Sequence, residues 1–553
     1  MPRVRVLSVI ALAGLLCSAC LPRQPSGGGS GPESSAGGSS PARPRSSASS
    51  SPVPPGTHTM PWPDEVYVGA ESPDRPGVEV PGATPPGFVE APPGSGVDRY
   101  LGQQLSWQPC PDKPSHRCTK FAAPLDWENP DGQAITIAMR LVPAAQESTG
   151  YLFVNPGGPG GSAQDYAAGF DATGLEHYSI VGLDSRGSGE STPVVCGSGP
   201  ETDEFYNADS TPDDQAERDA LVAAQQRFNQ QCRDHSGALL DHISTIETVY
   251  DYDLARQLLG QQKLDFYGVS YGTFLGAVYA ELYPQNAGRL VLDSAVNLIP
   301  DSEVIQAQGF DLSMRNFAKW CAAERDCGLG DSEDAVVDRV VGFLNGLDAH
   351  PLPGDQTRQL TQSLAVTGLI LFFYFGSDEY PTLSRVLADT MASGDGGYLL
   401  RAADSMNERL PDGTYGGLTY AFPAIRCADS ADHGVAAAFD DWLGENSARA
   451  PIFGPLFGPD LVCPLWTARP APQIDFSGTG APPILIVQNT GDSATPYQNA
   501  QIMAEELESA VLVSRDAPGH GAYTAGSACM DTIVRDYLND GTVPKEGITC
   551  TDG

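Results

Sequence analysis

Apolar residues at every second position, Ile135, Ile137, Met139 and Leu141, mark an early strand with one buried face. Short apolar runs then recur at wide intervals: Tyr151 to Val154, Ser179 to Leu183, Leu264 to Tyr267, Arg289 to Leu292, Ile484 to Gln488 and Ala510 to Ser514. Helical stretches lie between several of them; one, Ser244 to Leu259, opens on Ser and Thr capping residues and stops at Gly260. This alternation predicts an α/β fold, a mostly parallel central sheet flanked by helices. Roughly 190 residues separate Leu292 from Ile484, far beyond an ordinary connection. They predict a large, mainly helical cap inserted after the sixth core strand, with helices at Gly309 to Ala323, Leu360 to Phe373 and Tyr380 to Ala392. The apolar run Leu369 to Phe375 is too short to span a bilayer and ends in Gly376-Ser377-Asp378, so it reads as a buried cap helix.

The ends of the chain follow other rules. Arg3 and Arg5 precede an apolar stretch from Val6 to Leu16, the pattern of an export signal. Cys20 follows Ser18 and Ala19 as in the bacterial lipobox, whose cysteine becomes a lipidated N-terminus, although Cys17 is an unusual residue in such a box. Cleavage near Ala19, giving a freely secreted protein, and an uncleaved anchor are the alternatives. The expected order is a signal over 1–20, a Gly/Ser/Pro-rich tether over 21–97, the first part of the core over 98–298, the helical cap over 299–478 and the second part of the core over 479–553. The tether's composition cannot bury enough apolar surface to offset its ordering entropy. A formal net charge of −37 sets the protein against nucleic acid and anionic membranes. Membrane contact is expected only through the N-terminal lipid, and the chain is expected to be a monomer.

Twelve cysteines less Cys17 and Cys20 leave ten, an even number that in an exported chain points to disulfides. The simplest pairing is sequential: Cys110 with Cys118, Cys196 with Cys232, Cys321 with Cys327, Cys427 with Cys463, and Cys529 with Cys550. Metal binding has little support, because the one C-x-x-C lies in the signal and no H-E-x-x-H occurs. Neither metal nor cofactor is expected.

The chemistry concentrates in three loops. Gly268, Ser270 and Gly272 form G-x-S-x-G directly after a predicted strand and before a helical run, the setting of a nucleophile elbow in an α/β hydrolase. A serine hydroxyl needs a base, and the base needs a carboxylate to orient it, in the chain order Ser, Asp, His. His520, in Pro518-Gly-His-Gly521, is the histidine beyond the last predicted strand. Asp492 follows the strand ending at Gln488; its rival is Asp293, at the end of the preceding strand. The oxyanion needs N–H donors, and Asn155-Pro-Gly-Gly-Pro-Gly-Gly161 follows an early strand. Pro159 has no N–H, so Gly158 or Gly157 supplies one donor and Tyr271 the other. A phosphate-cradling loop is disfavoured by the absence of G-K-[ST]. In the turn Leu183 to Ser191, Asp184 and Arg186 are read as scaffolding rather than catalytic.

Asn-Pro-Gly-Gly-Pro-Gly-Gly at 155 to 161, Asp184-Ser-Arg-Gly-Ser-Gly, Gly268-Val-Ser-Tyr-Gly-Thr, Asp492-Ser-Ala-Thr-Pro and Gly519-His-Gly together resemble the actinobacterial tripeptidyl aminopeptidase branch of the prolyl aminopeptidase family. Ala123-Pro-Leu-Asp-Trp-Glu-Asn-Pro-Asp131, Asp251 to Gly260 and Ala424-Ile-Arg-Cys-Ala-Asp429 extend the likeness over Trp107 to Cys550. The resemblance implies an α/β-hydrolase fold and an exported serine hydrolase that releases short peptides, often tripeptides, from free N-termini, with Ser270, Asp492 and His520 as triad. Pro156 departs from the His of the broader family's H-G-G-P-G. Members that read a free amine use acidic cap residues; Glu303 is one guess here, against a plain solvated residue. A cell-envelope carboxylesterase or lipase with the same triad is the alternative, and a catalytically silent binding protein the third reading.

Overall fold

The computed structural model describes residues 87–299, 302–468 and 470–551. The expected signal, Cys17, Cys20 and the tether up to residue 86 lie outside the described residues. The strands Tyr178–Leu183, Gly150–Asn155, Leu264–Val269, Ala287–Asp293, Ile484–Gly491 and Ala510–Pro518 lie side by side in that order, all parallel. Neighbouring residues along them face opposite cores. Phe153, Val181 and Phe266 join helices Thr245–Leu258 and Tyr271–Leu282 on one side. Leu152, Ile180 and Tyr267 join Ala163–Gly169 and Ala528–Asp540 on the other. Both faces being covered explains why these strands read as unbroken apolar runs.

Two strands extend this sheet antiparallel. Ala134–Val142 pairs with Tyr178–Leu183, and Arg117–Pro124 pairs outside it. The second is absent from the apolar runs because Lys120 and Thr119 interrupt it, yet Thr119, Phe121 and Ala123 all turn inward with period two. It brings the long strands before the insertion to six. Phe88–Val89, in the last part of the expected tether, adds a short strand against Ile135 and Ala134, and Thr136 N–H donates to the Gly87 carbonyl.

Between Asp293 and Ile484 the chain is mainly helical. Gln306–Ala323, Glu333–Ala349, Gln362–Tyr374 and Tyr380–Ser393 share a core of their own around Phe310, Phe317, Leu369 and Phe373. Gln362–Tyr374 starts where Thr361 accepts the Leu364 N–H; its near-complete burial explains its apolar sequence. Among the described residues no helix is long and apolar enough to cross a membrane. All ten cysteines of the described chain pair in sequence order, from Cys110–Cys118 to Cys529–Cys550. Cys427–Cys463 fastens the later helix Leu418–Asp429, which lies within the expected cap but whose Ala421, Ala424 and Ile425 join the core of the sheet, to the segment leading back into the sheet.

Candidate active site

Ser270 stands between the strand Leu264–Val269 and the helix Tyr271–Leu282 with φ 58° and ψ −123°. Such a conformation costs on the order of 1–3 kcal/mol for a residue with a side chain and persists only where the surroundings impose it. They do so here. Ser270 N–H donates to the Asp293 carbonyl at 2.9 Å, and the Ser270 carbonyl accepts from Thr273 N–H at 2.9 Å and Thr273 Oγ1 at 2.6 Å. The glycines of the motif are steric requirements: a Cβ on Gly268 would lie 2.4 Å from the Gly272 carbonyl oxygen, and one on Gly272 would lie 2.9 Å from that of Asn155.

Asp492 and His520 meet at the carboxyl ends of the last two long strands. His520 Nδ1 lies 2.9 Å from Asp492 Oδ1 and 3.0 Å from Oδ2. Asp492 is fully buried, and its remaining lone pairs accept from the N–H groups of Ala494 and Thr495 and from Gln488 Nε2. A carboxylate so surrounded fixes the imidazole proton on Nδ1 and leaves Nε2 as the basic atom. Nε2 is buried without a hydrogen-bond partner, so it makes no bond to the Ser270 hydroxyl here. The loop carrying the imidazole is held on several sides: His520 N–H donates to the Tyr374 carbonyl, and Asn489 Nδ2 bonds the carbonyls of Gly519 and Gly521. The Tyr374 ring stands edge-on to the imidazole, 5.3 Å between centroids.

Asp293, the rival acid, has other work. Its carboxylate accepts from Ala522 N–H, Tyr523 N–H and the Tyr267 hydroxyl, and burial raises its pKa. It therefore pins the backbone just past His520 rather than the ring.

The loop Asn155 to Gly161 presses against the elbow. A Cβ on Gly157 would lie 2.4 Å from the Val269 carbonyl oxygen and 2.7 Å from Tyr271 N, so glycine is obligatory there, at φ 84°. Of the two expected loop donors, Gly157 is excluded: its N–H is already given to Asn155 Oδ1 at 2.8 Å. Gly158, the other candidate, lines the cleft together with Ser270 and Tyr271.

The cleft has a volume of about 300 Å3. One wall is the helix Leu418–Asp429, which turns Phe422, Arg426 and Asp429 toward it at spacings of four and three. Arg426 is paired with Asp460 at 2.7 and 3.0 Å. Asp429 accepts from Thr245 N–H (2.8 Å), Thr245 Oγ1 (2.6 Å) and the Tyr271 hydroxyl (2.7 Å). Burial pushes its pKa up to about 6, and the Tyr271 phenol is also raised by burial and by this carboxylate. Sequence reasoning missed Asp429 as a cleft residue; its signal was the tract Ala424 to Asp429, noticed only as likeness. Glu303 is placed elsewhere, its side chain 86% exposed beside Arg449.

Asp184 and Arg186 tie loops together. Asp184 accepts from Gln164 N–H and Nε2, Ser162 and Glu190 N–H. Arg186, fully buried, bonds both oxygens of Asp251 at 2.8 Å and the carbonyls of Leu125, Pro124 and His242. Asp126, His242 and Glu247 bring ligand-type atoms within 4.8 Å of one another, but the Arg186 guanidinium, 3.5 Å from Glu247, already supplies the positive charge there.

A mostly parallel sheet with a serine elbow, a buried Asp–His pair and a glycine-rich loop at one edge defines a serine hydrolase of the α/β-hydrolase class. The family models agree: one described as alpha/beta hydrolase fold matches residues 151–345, and one described as TAP-like protein matches 450–550. Serine protease Hip1 of Mycobacterium tuberculosis is 32% identical over 486 residues, covering 81% of this chain and 91% of that one. Carboxylesterase B of the same organism is 32% identical over 509 residues (85% and 95%), and tripeptidyl aminopeptidase of Streptomyces lividans 29% over 481 residues (81% and 86%). The chain belongs to the tripeptidyl aminopeptidase branch of the actinobacterial α/β hydrolases.

Proposed function

We propose that this enzyme is an exported serine peptidase that releases short peptides, tripeptides above all, from free N-termini. Ser270 attacks the scissile carbonyl while His520 Nε2 takes its proton, Asp492 stabilises the imidazolium, and Gly158 and Tyr271 N–H groups receive the oxyanion. His520 then hands the proton to the departing amine, and water repeats the sequence on the acyl-enzyme. The observation that carries the amine reading is Asp429, a carboxylate on the cleft wall joined through the Tyr271 side chain to the residue that supplies an oxyanion donor. One tyrosine side chain thus separates a site for a substrate ammonium from the reacting carbonyl, a span suited to a few residues of extended peptide. The names of the tripeptidyl aminopeptidase and serine protease relatives support the same chemistry.

Export is supported by Arg3, Arg5 and the apolar stretch to Leu16, and by five disulfides, which persist in oxidising compartments. The pattern ending at Cys20 supports lipid attachment at the cell envelope. The alternative is a carboxylesterase, favoured by the carboxylesterase B relative, since an acyl-enzyme serves esters equally. A chromogenic tripeptidyl amide compared with its N-acetylated form separates the two. The peptidase reading expects acetylation to abolish most of the turnover and Ser270→Ala to abolish all of it; equal rates for the free and blocked peptides would sink it.

A further inference from the structure

Behind the cleft wall lies a second cavity of about 110 Å3, lined by Phe205, Tyr206, Leu221, Phe457 and Leu461. Phe422 and Arg426 border both spaces, so the partition between them is one side chain thick. The cavity is close to the chemistry: Leu418, on its wall, lies 3.0 Å from where a Cβ on Gly158 would stand. Three of its polar lining groups are already engaged. Gln225 Nε2 bonds Asn229, Ser363 Oγ donates to the Ala208 carbonyl, and Thr419 Oγ1 donates to the Asn407 carbonyl. A space of several water volumes lined mainly by apolar side chains favours an apolar guest over water. Phe422 precedes Pro423 inside its helix, where proline offers no N–H to the preceding turn, so this part of the wall is less firmly tied than a regular helix.

We propose that this cavity is the inner chamber of the pocket for the residue that acylates Ser270, and that it takes a long aliphatic or aromatic side chain, which enters by displacing the Phe422 ring. The position beside Gly158 selects that residue, because its carbonyl oxygen is the one held there. The proposal rests on the acyl-enzyme reading above but not on the amine preference.

The test is the ratio of kcat/KM for tripeptidyl amides ending in Phe and in Ala, measured for the wild type, Phe422→Ala and Leu221→Trp, with fluorophosphonate labelling of Ser270 as the check on folding. Removing the partition is expected to raise the Phe-to-Ala ratio about tenfold, and filling the chamber to lower it by a similar factor. Leu221→Phe replaces the Trp variant if labelling shows that variant misfolded. Where amides are not turned over, p-nitrophenyl 4-phenylbutyrate against p-nitrophenyl acetate reads the same chamber. Labelled, active variants whose ratio stays at the wild-type value overturn this proposal alone. Failure of the wild type to hydrolyse amide and ester alike overturns the acyl-enzyme reading together with it.

Discussion

At the residue scale, the site depends on groups that can exist only in one protonation or pairing state. Asp492 spends its oxygens on three fixed donors and one imidazole, so an amide at that position would present hydrogens where acceptors are needed. Asp492→Asn is expected to reduce kcat by about 10^4 with an unchanged circular-dichroism spectrum, because the imidazole is then held in the wrong tautomer. Arg186 makes a different kind of claim. Its guanidinium is enclosed with Asp251, and Arg186→Met would strand that carboxylate in the interior. The unfolding free energy in urea is expected to fall by about 3–5 kcal/mol. Of these residues, Ser270, Asp492 and His520 were legible from the sequence because the chemistry demands those types in that order. Gly158 and Gly157 were not separable, since the difference is made by the Asn155 side chain curling back onto one N–H.

At the element scale, the turn between a strand and a helix is shaped from outside as well as within. The loop after Gly150–Asn155 fits so closely against the elbow that one added methyl has no room. Gly157→Ala is expected to abolish hydrolysis and slow fluorophosphonate labelling, while Gly161→Ala, whose Cβ would meet its nearest atoms at 3.0 Å and whose backbone is not left-handed, is expected to lose less. Labelling rates under identical probe concentration check the order. The buried parallel strands were visible as apolar runs because both faces are covered. The strand Arg117–Pro124 was not, because a half-exposed strand tolerates Lys120 and hides its own periodicity. The helix Leu418–Asp429 escaped notice for another reason: its importance lies in what it faces, which only the folding back of the insertion decides.

At the scale of the whole molecule, pH acts through carboxyl groups that folding encloses. Asp429 has its pKa raised from 3.8 to about 6, so the folded chain binds this proton more tightly than the unfolded chain does. Its contribution is fully present below about pH 4 and is lost as pH rises through about 6. Asp184, Asp251 and Asp293 are also raised by burial, so the informative quantity is a difference. The Tm of Asp429→Asn minus that of the wild type is expected to increase between pH 4 and pH 7; a constant difference in scanning calorimetry would contradict the assignment.

The short strand Phe88–Val89 runs along Ile135 and Ala134. Because Ala134–Val142 is antiparallel to Tyr178–Leu183, with Met139 opposite Leu183, those first residues lie past the carboxyl ends of the parallel strands, on the rim that carries Ser270. The described chain therefore makes its entrance on the side where substrate arrives.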